Sequence, residues 1–325
     1  MNRFQERNID PWSPERWAGA SFLLVQTLPL ITIGILNFNR CDELRRTLDC
    51  ATKAIDYPSI EFIVVDNAST DGSVEMVENF FPNVRVIVMP ANIATAARNE
   101  FYREARGKYI FSYDDDSFPA TPATILDVIQ MLEERPEIDA ASFYCYQPLT
   151  SFVESGGLEK FRFSGNPQNG YEGLFFVEGG MCVRQDSFKR ISGYDKEFIW
   201  GAEGADLTLQ FYKLGMKTLY YPACATLHMK SQQNRDTVQN IKFFTRNYIW
   251  TIGKHFPILI AIPLIVLYIL RRMVAILLHP SFASGYIHGI LDGVIGFHKQ
   301  RRKTEKLTLR QVLGLKRWYL FLLRW

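Results

Sequence analysis

Tyr109-Ile110-Phe111-Ser112-Tyr113-Asp114-Asp115-Asp116-Ser117-Phe118-Pro119 is a short aromatic and apolar run that ends in three consecutive carboxylates and a turn. Apolar runs of this length bounded by turn formers suit a strand buried on both faces, and in open α/β sheets ligands gather outside the carboxyl ends of such strands. Three adjacent anions repel one another and call for a positive partner. Mg²⁺ or Mn²⁺ answers that need, because hard cations take one or two protein carboxylates and complete their shell with water and phosphate oxygens. Side chains alternate along an extended backbone, so Asp114 and Asp116 are expected on one side and Asp115 on the other. The plainer alternative is an acidic turn whose last Asp, or Ser117, caps a helix beginning near Pro122.

Upstream, strands and helices alternate. Leu30 to Leu36 reads as a strand, followed by Asn37-Phe38-Asn39-Arg40 and a helix from about Cys41 to Ile55 that stops before Pro58. Ile60 to Val65 is the next strand, and the turn from Asp66 to Ser73 leads into a helix through about Phe80. Val84 to Met89 makes a third strand, and Asn92 opens a helix that carries Arg98 and Asn99 and closes at Gly107. Such alternation predicts an α/β fold with a parallel sheet wound in a Rossmann-like manner. Phe38 and Asp66 at the strand ends, and Arg98 on the segment leading into the acidic strand, each have two roles open to them. Phe38 is either core or a stacking platform for a base. Asp66 either holds its own turn or accepts a hydrogen bond from a nucleobase or ribose. Arg98 either pairs with Glu100 or Glu104 on a helix surface or braces a diphosphate with its guanidinium fork.

Downstream the texture changes. Ala140 to Glu178 reads as short strand-like pieces rich in Phe, Tyr, Gly and Ser, a loop-dominated wall suited to acceptor specificity. Gly179 and Gly180 allow close approach to the backbone. Phe188 to Tyr194 reads as a helix and turn. The stretch Glu203-Gly204-Ala205-Asp206-Leu207 opens a second helix with Leu207, Phe211 and Leu214 on one face and Gly215 as its C-terminal cap. Lys217 to Tyr221 is a last strand leading to Pro222 and His228.

With these pieces in order, residues 30 to 230 resemble the family 2 glycosyltransferases of GT-A fold. The resemblance rests on Ile33 to Arg40, Ile63 to Ser73, Ala97-Arg98-Asn99 and Asp114-Asp115-Asp116. It continues through Gly179-Gly180 with Arg184, Gly193-Tyr194-Asp195, Glu203 to Leu207 and His228. It is nearest in flavour to the bacterial rhamnosyltransferase-like and galactofuranosyltransferase-like branch that builds surface polysaccharide. It implies a nucleoside-diphosphate sugar donor, of UDP or dTDP type, and a glycan or lipid-linked acceptor. Asp114 and Asp116 then hold the metal, with His228 at a position that sometimes completes its shell. Phe38, Asp66, Arg98 and Asp115 fall to the nucleotide, and an acid before the last helix becomes the base of an inverting transfer. The family's base sits where this chain has Gly204, so Glu203, the nearest carboxylate, takes the role and Asp206 is left to the first helical turn. Glycines usual near Ala94 and Glu100 are also missing.

Two other classes share some of these features. A nucleotidyltransferase needs a basic, Gly-rich loop near the first strand, where only Arg40 stands, and a catalytically silent scaffold would fit Gly204. Composition is ordinary for a globular chain of 325 residues, with 47% hydrophobic and 22% charged. Five scattered cysteines without a Cys-X-X-Cys suggest neither zinc nor disulfides and fit a reducing cytosol. Arg3, Glu6, Arg7 and Asp10 in the N-terminal extension, residues 1 to 29, argue against a secretory signal, so catalysis is expected to face the cytosol. The formal charge of +3 is uneven: nine Lys and Arg against Glu305 alone give +8 after residue 298, leaving −5 for the rest. A basic tail on an acidic body points to a localised anionic partner and away from a nucleic-acid-binding protein. Residues 30 to 235 are therefore expected to form the catalytic domain and 236 to 325 a helical, membrane-associating appendage. Phe256 to Leu270 lacks any charge but contains Pro257 and Pro263, and an amphipathic tip runs from Val312 to Trp325. A buried core helix is the alternative for the apolar run. Seated this way, the protein would work at the cytoplasmic face of the plasma membrane.

Overall fold

The computed structural model describes residues 28–55, 57–121, 123–147, 152–153, 169–172, 179–229 and 236–315. In chain order its elements begin with β1 (Ile31–Asn37), α1 (Cys41–Ala54), β2 (Ile60–Asp66), α2 (Ser73–Phe80), β3 (Val84–Val88), α3 (Arg98–Glu104), β4 (Tyr109–Asp114), β5 (Ser117–Pro119) and α4 (Ala123–Glu134). The middle of the chain contributes β6 (Ile138–Gln147), β7 (Phe152–Val153), β8 (Tyr171–Glu172), β9 (Met181–Arg184), the single turn α5 (Gln185–Phe188), α6 (Glu203–Lys213) and β10 (Lys217–His228). Four helices follow: α7 (Thr237–His255), α8 (Ile258–Leu278), α9 (Ala283–Arg301) and α10 (Leu309–Gly314).

One sheet runs in the order β3-β2-β1-β4-β9-β6-β10-β5. Strands β3, β2, β1 and β4 are parallel, as the alternating pattern predicts, and β6 and β10 are parallel to each other. Between them β9 pairs antiparallel with both β4 and β6, which makes the sheet mixed and leaves β6 and β10 pointing the same way as β4. The carboxyl ends of β1, β2, β4 and β10 consequently open on a single edge.

Both faces are covered. Ile31, Ile33 and Ile35 of β1 pack with Leu44, Leu48 and Val128 from α1 and α4, while Ile63, Val65 and Ile110 pack with Phe101, Leu207 and Phe211 from α3 and α6. Helix α3 approaches so closely that a Cβ on Gly34 would lie 2.4 Å from the Phe101 ring, which is why the middle of β1 has no side chain on that face. A third cluster joins Ala205 and Leu209 of α6 to Tyr248 and Ile252 of α7 and to Ala261, Ile265 and Tyr268 of α8.

The structure departs from the sequence reading in several places. Leu214 is 46% exposed, because α6 ends one residue earlier and Gly215, at φ 71°, turns the chain so that Met216 N–H donates to Phe211 C=O. Met216 fills the place expected of Leu214. The start of the expected loop wall is the ten-residue strand β6, held between β9 and β10; residues 148–151, 154–168 and 173–178 of that wall lie outside the described residues. The helix expected from Asn92 is a 3₁₀ turn, Ala94–Ala97, leading into α3. Pro257 stands just before α8, and Pro263 sits inside it as the sixth residue, where it removes one backbone hydrogen bond without ending the helix. The expected strand at Phe22 to Gln26 and the tip beyond residue 315 lie outside the described residues.

Candidate active site

Strand β4 delivers Asp114 to the open edge, where its backbone N–H donates to Ser117 Oγ at 2.8 Å, closing the tight turn into β5. Asp115 and Asp116 therefore occupy a turn, and it is the turn that separates their side chains, not strand alternation. Asp116 Oδ1 faces His228 Nε2 at 2.9 Å, at the end of β10. Donor atoms of Asp114, Asp116 and His228 lie within 4.8 Å of one another. Asp115 points elsewhere, toward Arg40 Nη1 at 3.0 Å, and the same nitrogen reaches Asp116 Oδ2 at 3.0 Å. Burial pushes the Asp115 carboxyl up to about 7, with Arg40 pulling against its two acidic neighbours.

Two carboxylates and an imidazole form a donor set suited to Mn²⁺ or Mg²⁺. The space beside them is kept open by Gly179, where a Cβ would come within 2.9 Å of Asp114 Oδ2 and 3.8 Å of His228 Nδ1. On both counts the residues present fit a divalent cation.

The nucleotide candidates surround this cluster. Phe38, just past β1, is 37% exposed and thus not a core residue. Asp66 is buried at the end of β2, accepting from Asn37 Nδ2 at 2.9 Å and from Ser69 N–H at 2.8 Å, so its carboxylate holds its turn in this structure. Arg98 is buried at the start of α3. Its guanidinium pairs with Asp114 and donates to Ser112 Oγ and Tyr113 C=O, each at 3.0 Å.

Glu203 opens α6 and is buried. Burial raises its carboxyl above the ordinary range, while backbone N–H groups, Arg98 and Thr95 pull the other way. The chain enters this helix through Gly201 at φ 86° and Ala202 at φ 69°, and a non-glycine residue in the left-handed region is a backbone expense typical of sites where a side chain must be aimed. Asp206, one turn on, is turned away from solvent: it accepts from Lys254 Nζ at 2.9 Å and Gln210 Nε2 at 2.8 Å and faces His255 Nε2 at 2.7 Å. Buried beside Lys254 and His255, its carboxyl stays well below the usual range.

Sequence reasoning passed over Arg40, Asn37 and the Lys254-His255 pair. Arg40 carried a signal, being a lone cation just after a strand that neighbours the acidic one. Lys254 and His255 carried none, because their partner lies 48 and 49 residues away. A cavity of about 440 Å³ lined by Asn99, Tyr194, Asp195, Gln210, Lys254 and Lys303 includes no member of the acidic cluster.

A mostly parallel sheet covered on both faces, with an acidic strand end at its open edge, is the architecture of GT-A glycosyltransferases. The mannosyltransferase PcManGT from Pyrobaculum calidifontis, solved in complex with GDP-Man and Mn²⁺, shares it with a TM-score of 0.54 and 16% identity, over 95% of this chain and 88% of that one. The chain belongs to glycosyl transferase family 2, a family of sugar-transferring enzymes, whose model matches residues 32–192. It is similar to the probable glycosyltransferase YdaM of Bacillus subtilis (strain 168), with 25% identity over 239 residues, 68% of this chain and 53% of that protein. It is also similar to the N-acetylglucosaminyl-diphospho-decaprenol L-rhamnosyltransferase of Mycobacterium tuberculosis (strain ATCC 25618 / H37Rv), with 21% identity over 268 residues, 71% of this chain and 86% of that one. The chain thus spans about half the length of the first of these relatives.

Proposed function

We propose that this protein is an inverting, metal-dependent glycosyltransferase. It moves a sugar from a UDP- or dTDP-type donor to a hydroxyl of a glycan or lipid-linked acceptor in cell-surface polysaccharide synthesis, at the cytoplasmic face of the membrane. The observation that carries this reading is the convergence of Asp114, Asp116 and His228 at one sheet edge. Family membership and the relative named for a decaprenol-linked substrate support the donor and acceptor classes. In this reading residues 30–235 are the catalytic unit, 1–29 an extension and 236–325 the membrane-seated part.

Asp114, Asp116 and His228 would hold the cation. When bound there, a divalent ion offsets the charge that grows on the diphosphate as it leaves. Phe38 offers an exposed ring for the base, Asp66 a carboxylate beside it, and Arg98 and Asp115 flank the phosphate side. Glu203 accepts the proton of the acceptor hydroxyl as that oxygen bonds to the anomeric carbon and the C1–O bond to the diphosphate breaks. Attack from the face opposite the leaving group inverts the centre. The raised carboxyl of Glu203 suits a base that must take up a proton near neutral pH.

The test is calorimetric titration of the full chain with UDP, dTDP and GDP, each with and without Mn²⁺, on the parent and on Asp116→Ala. One nucleotide should bind with a strong dependence on Mn²⁺, and Asp116→Ala should lose that dependence. If the variant binds in Mn²⁺ as tightly as the parent, the metal assignment fails.

A further inference from the structure

Helix α8 is apolar and long enough to cross a bilayer: 21 residues, with a mean hydropathy of 2.2 over an 18-residue stretch, or about 31 Å at 1.5 Å per residue. Its packing decides otherwise. Ala261, Ile265 and Tyr268 form a buried stripe against the protein, and the Tyr268 ring stacks on Tyr248 of α7 with centroids 5.7 Å apart. On the other side Leu259, Ile262, Val266, Leu270, Met273 and Leu277 recur every three or four residues along the whole helix and are exposed, Leu259 to 86%. Leu291 and Ile295 of α9 add to the exposed apolar surface, Ile295 to 79%.

The neighbours of α8 are pinned to the catalytic body. Helices α7 and α9 run parallel at close range, a Cβ on Gly285 meeting Val238 C=O at 2.6 Å and one on Gly289 meeting Lys242 C=O at 2.6 Å. Lys254 and His255 of α7 hold Asp206 of α6, while beyond α9 Lys303 reaches Asp195 at 2.8 Å and Glu197 at 2.7 Å. The turn that ends α8 comes back onto the start of α7. Were α8 to stand along the bilayer normal, Lys242, Arg246 and Asp292 on its companions, and the turn before Glu203, would be carried to the depth of the hydrocarbon, where ionisable groups are strongly disfavoured.

We infer that α8 lies in the plane of an anionic bilayer, its exposed stripe and the outer face of α9 sunk into one leaflet, and that it does not cross. This rests on the membrane-seated reading above and adds the mode of seating. Charge selects a lipid surface over a second copy of the chain: residues 256–315 carry eight Lys and Arg against Asp292 and Glu305, and with Lys299 and Lys303 paired to Asp195 and Glu197, six of the eight lie outside those ion pairs. Two such faces would repel each other, whereas anionic headgroups attract them.

The experiment uses the full chain with Cys41→Ser and Cys50→Ser, the three remaining cysteines being buried, and single cysteines introduced in turn as Leu259→Cys, Leu270→Cys and Leu277→Cys. Each is labelled with an environment-sensitive fluorophore and mixed with phosphatidylglycerol-containing vesicles. The labelled protein should float with the vesicles, and all three positions should be quenched to a similar extent by shallow nitroxide lipids and reached by an impermeant quencher added outside. A label at Leu259 or Leu277 that is shielded from the outside quencher while the other is open to it would show a span and overturn the inference. So would failure to float, whether the protein is then a monomer or a dimer. Nucleotide titration of the same samples reports on the sugar-transfer reading separately.

Discussion

Glu203 is buried with its carboxyl raised, and a base in that state must lose its proton before it can act. Turnover is therefore expected to climb with pH through a value above the ordinary Glu range, because only the deprotonated form accepts the acceptor's proton. Glu203→Gln keeps the shape and deletes the base, so kcat should fall by about 10²–10⁴-fold with donor affinity kept. Initial rates across a pH series and donor titration of the variant check both halves. A variant that turns over at the parent rate would remove Glu203 from the chemistry and revive the scaffold reading that Gly204 suggests. The acidic triplet was legible in the sequence because it follows directly on its own strand. The partnership of Arg40 with Asp115 and Asp116 was not, since 75 and 76 residues separate them.

Helix α7 braces the turn that aims Glu203. Asn247 is fully buried, and its amide donates to Trp200 C=O at 2.9 Å and Gly201 C=O at 2.7 Å, the two carbonyls just ahead of the left-handed Ala202. Asn247→Ala leaves both carbonyls, that of Gly201 buried, without that donor and should cost about 1–3 kcal/mol of stability. Because the turn positions Glu203 and does not touch the donor, kcat should drop while the donor KM stays near the parent value. Urea unfolding midpoints and the kcat-against-KM split measure this. Parent values for both would mean that α7 merely packs here. Elements with strong local punctuation, such as β1, α1 and β2, were readable within a residue or two. Strand β6 was not, because it is ordered by its place between β9 and β10 and its Ser, Tyr and Cys positions carry no alternating pattern of their own.

The whole molecule is tied together at Asp206, where α6 meets the C-terminal helices. His255 donates its Nε2 proton to Asp206, and its Nδ1 is buried with no hydrogen-bond partner among the described residues, so a second proton would find no acceptor among them. Burial accordingly brings the His255 pKa from 6.5 down to about 4. Between those values the unfolded chain holds a proton that the folded chain does not. Stability then rises with pH across the window and is lost as pH falls from about 6.5 toward about 4. Thermal midpoints taken across that range should decline on acidification, and His255→Gln, which keeps a donor for Asp206, should flatten the decline. An equal slope in parent and variant would place the sensitivity elsewhere.

By itself the sequence determined the features that are local in the chain: alternating strands and helices up to β4, carboxylates at the end of a buried run, glycines where a turn needs them, and an apolar stretch before a basic tail. Period, propensity and turn chemistry act over a few residues, so they are written in neighbouring letters. The tertiary structure alone decided that β9 runs backward between β4 and β6 and that Asp206 serves as an anchor. It also held the most apolar helix against companions pinned to the α/β body. Those outcomes depend on which buried charge finds a partner and which face finds a neighbour, and burial makes such pairings between residues tens of positions apart.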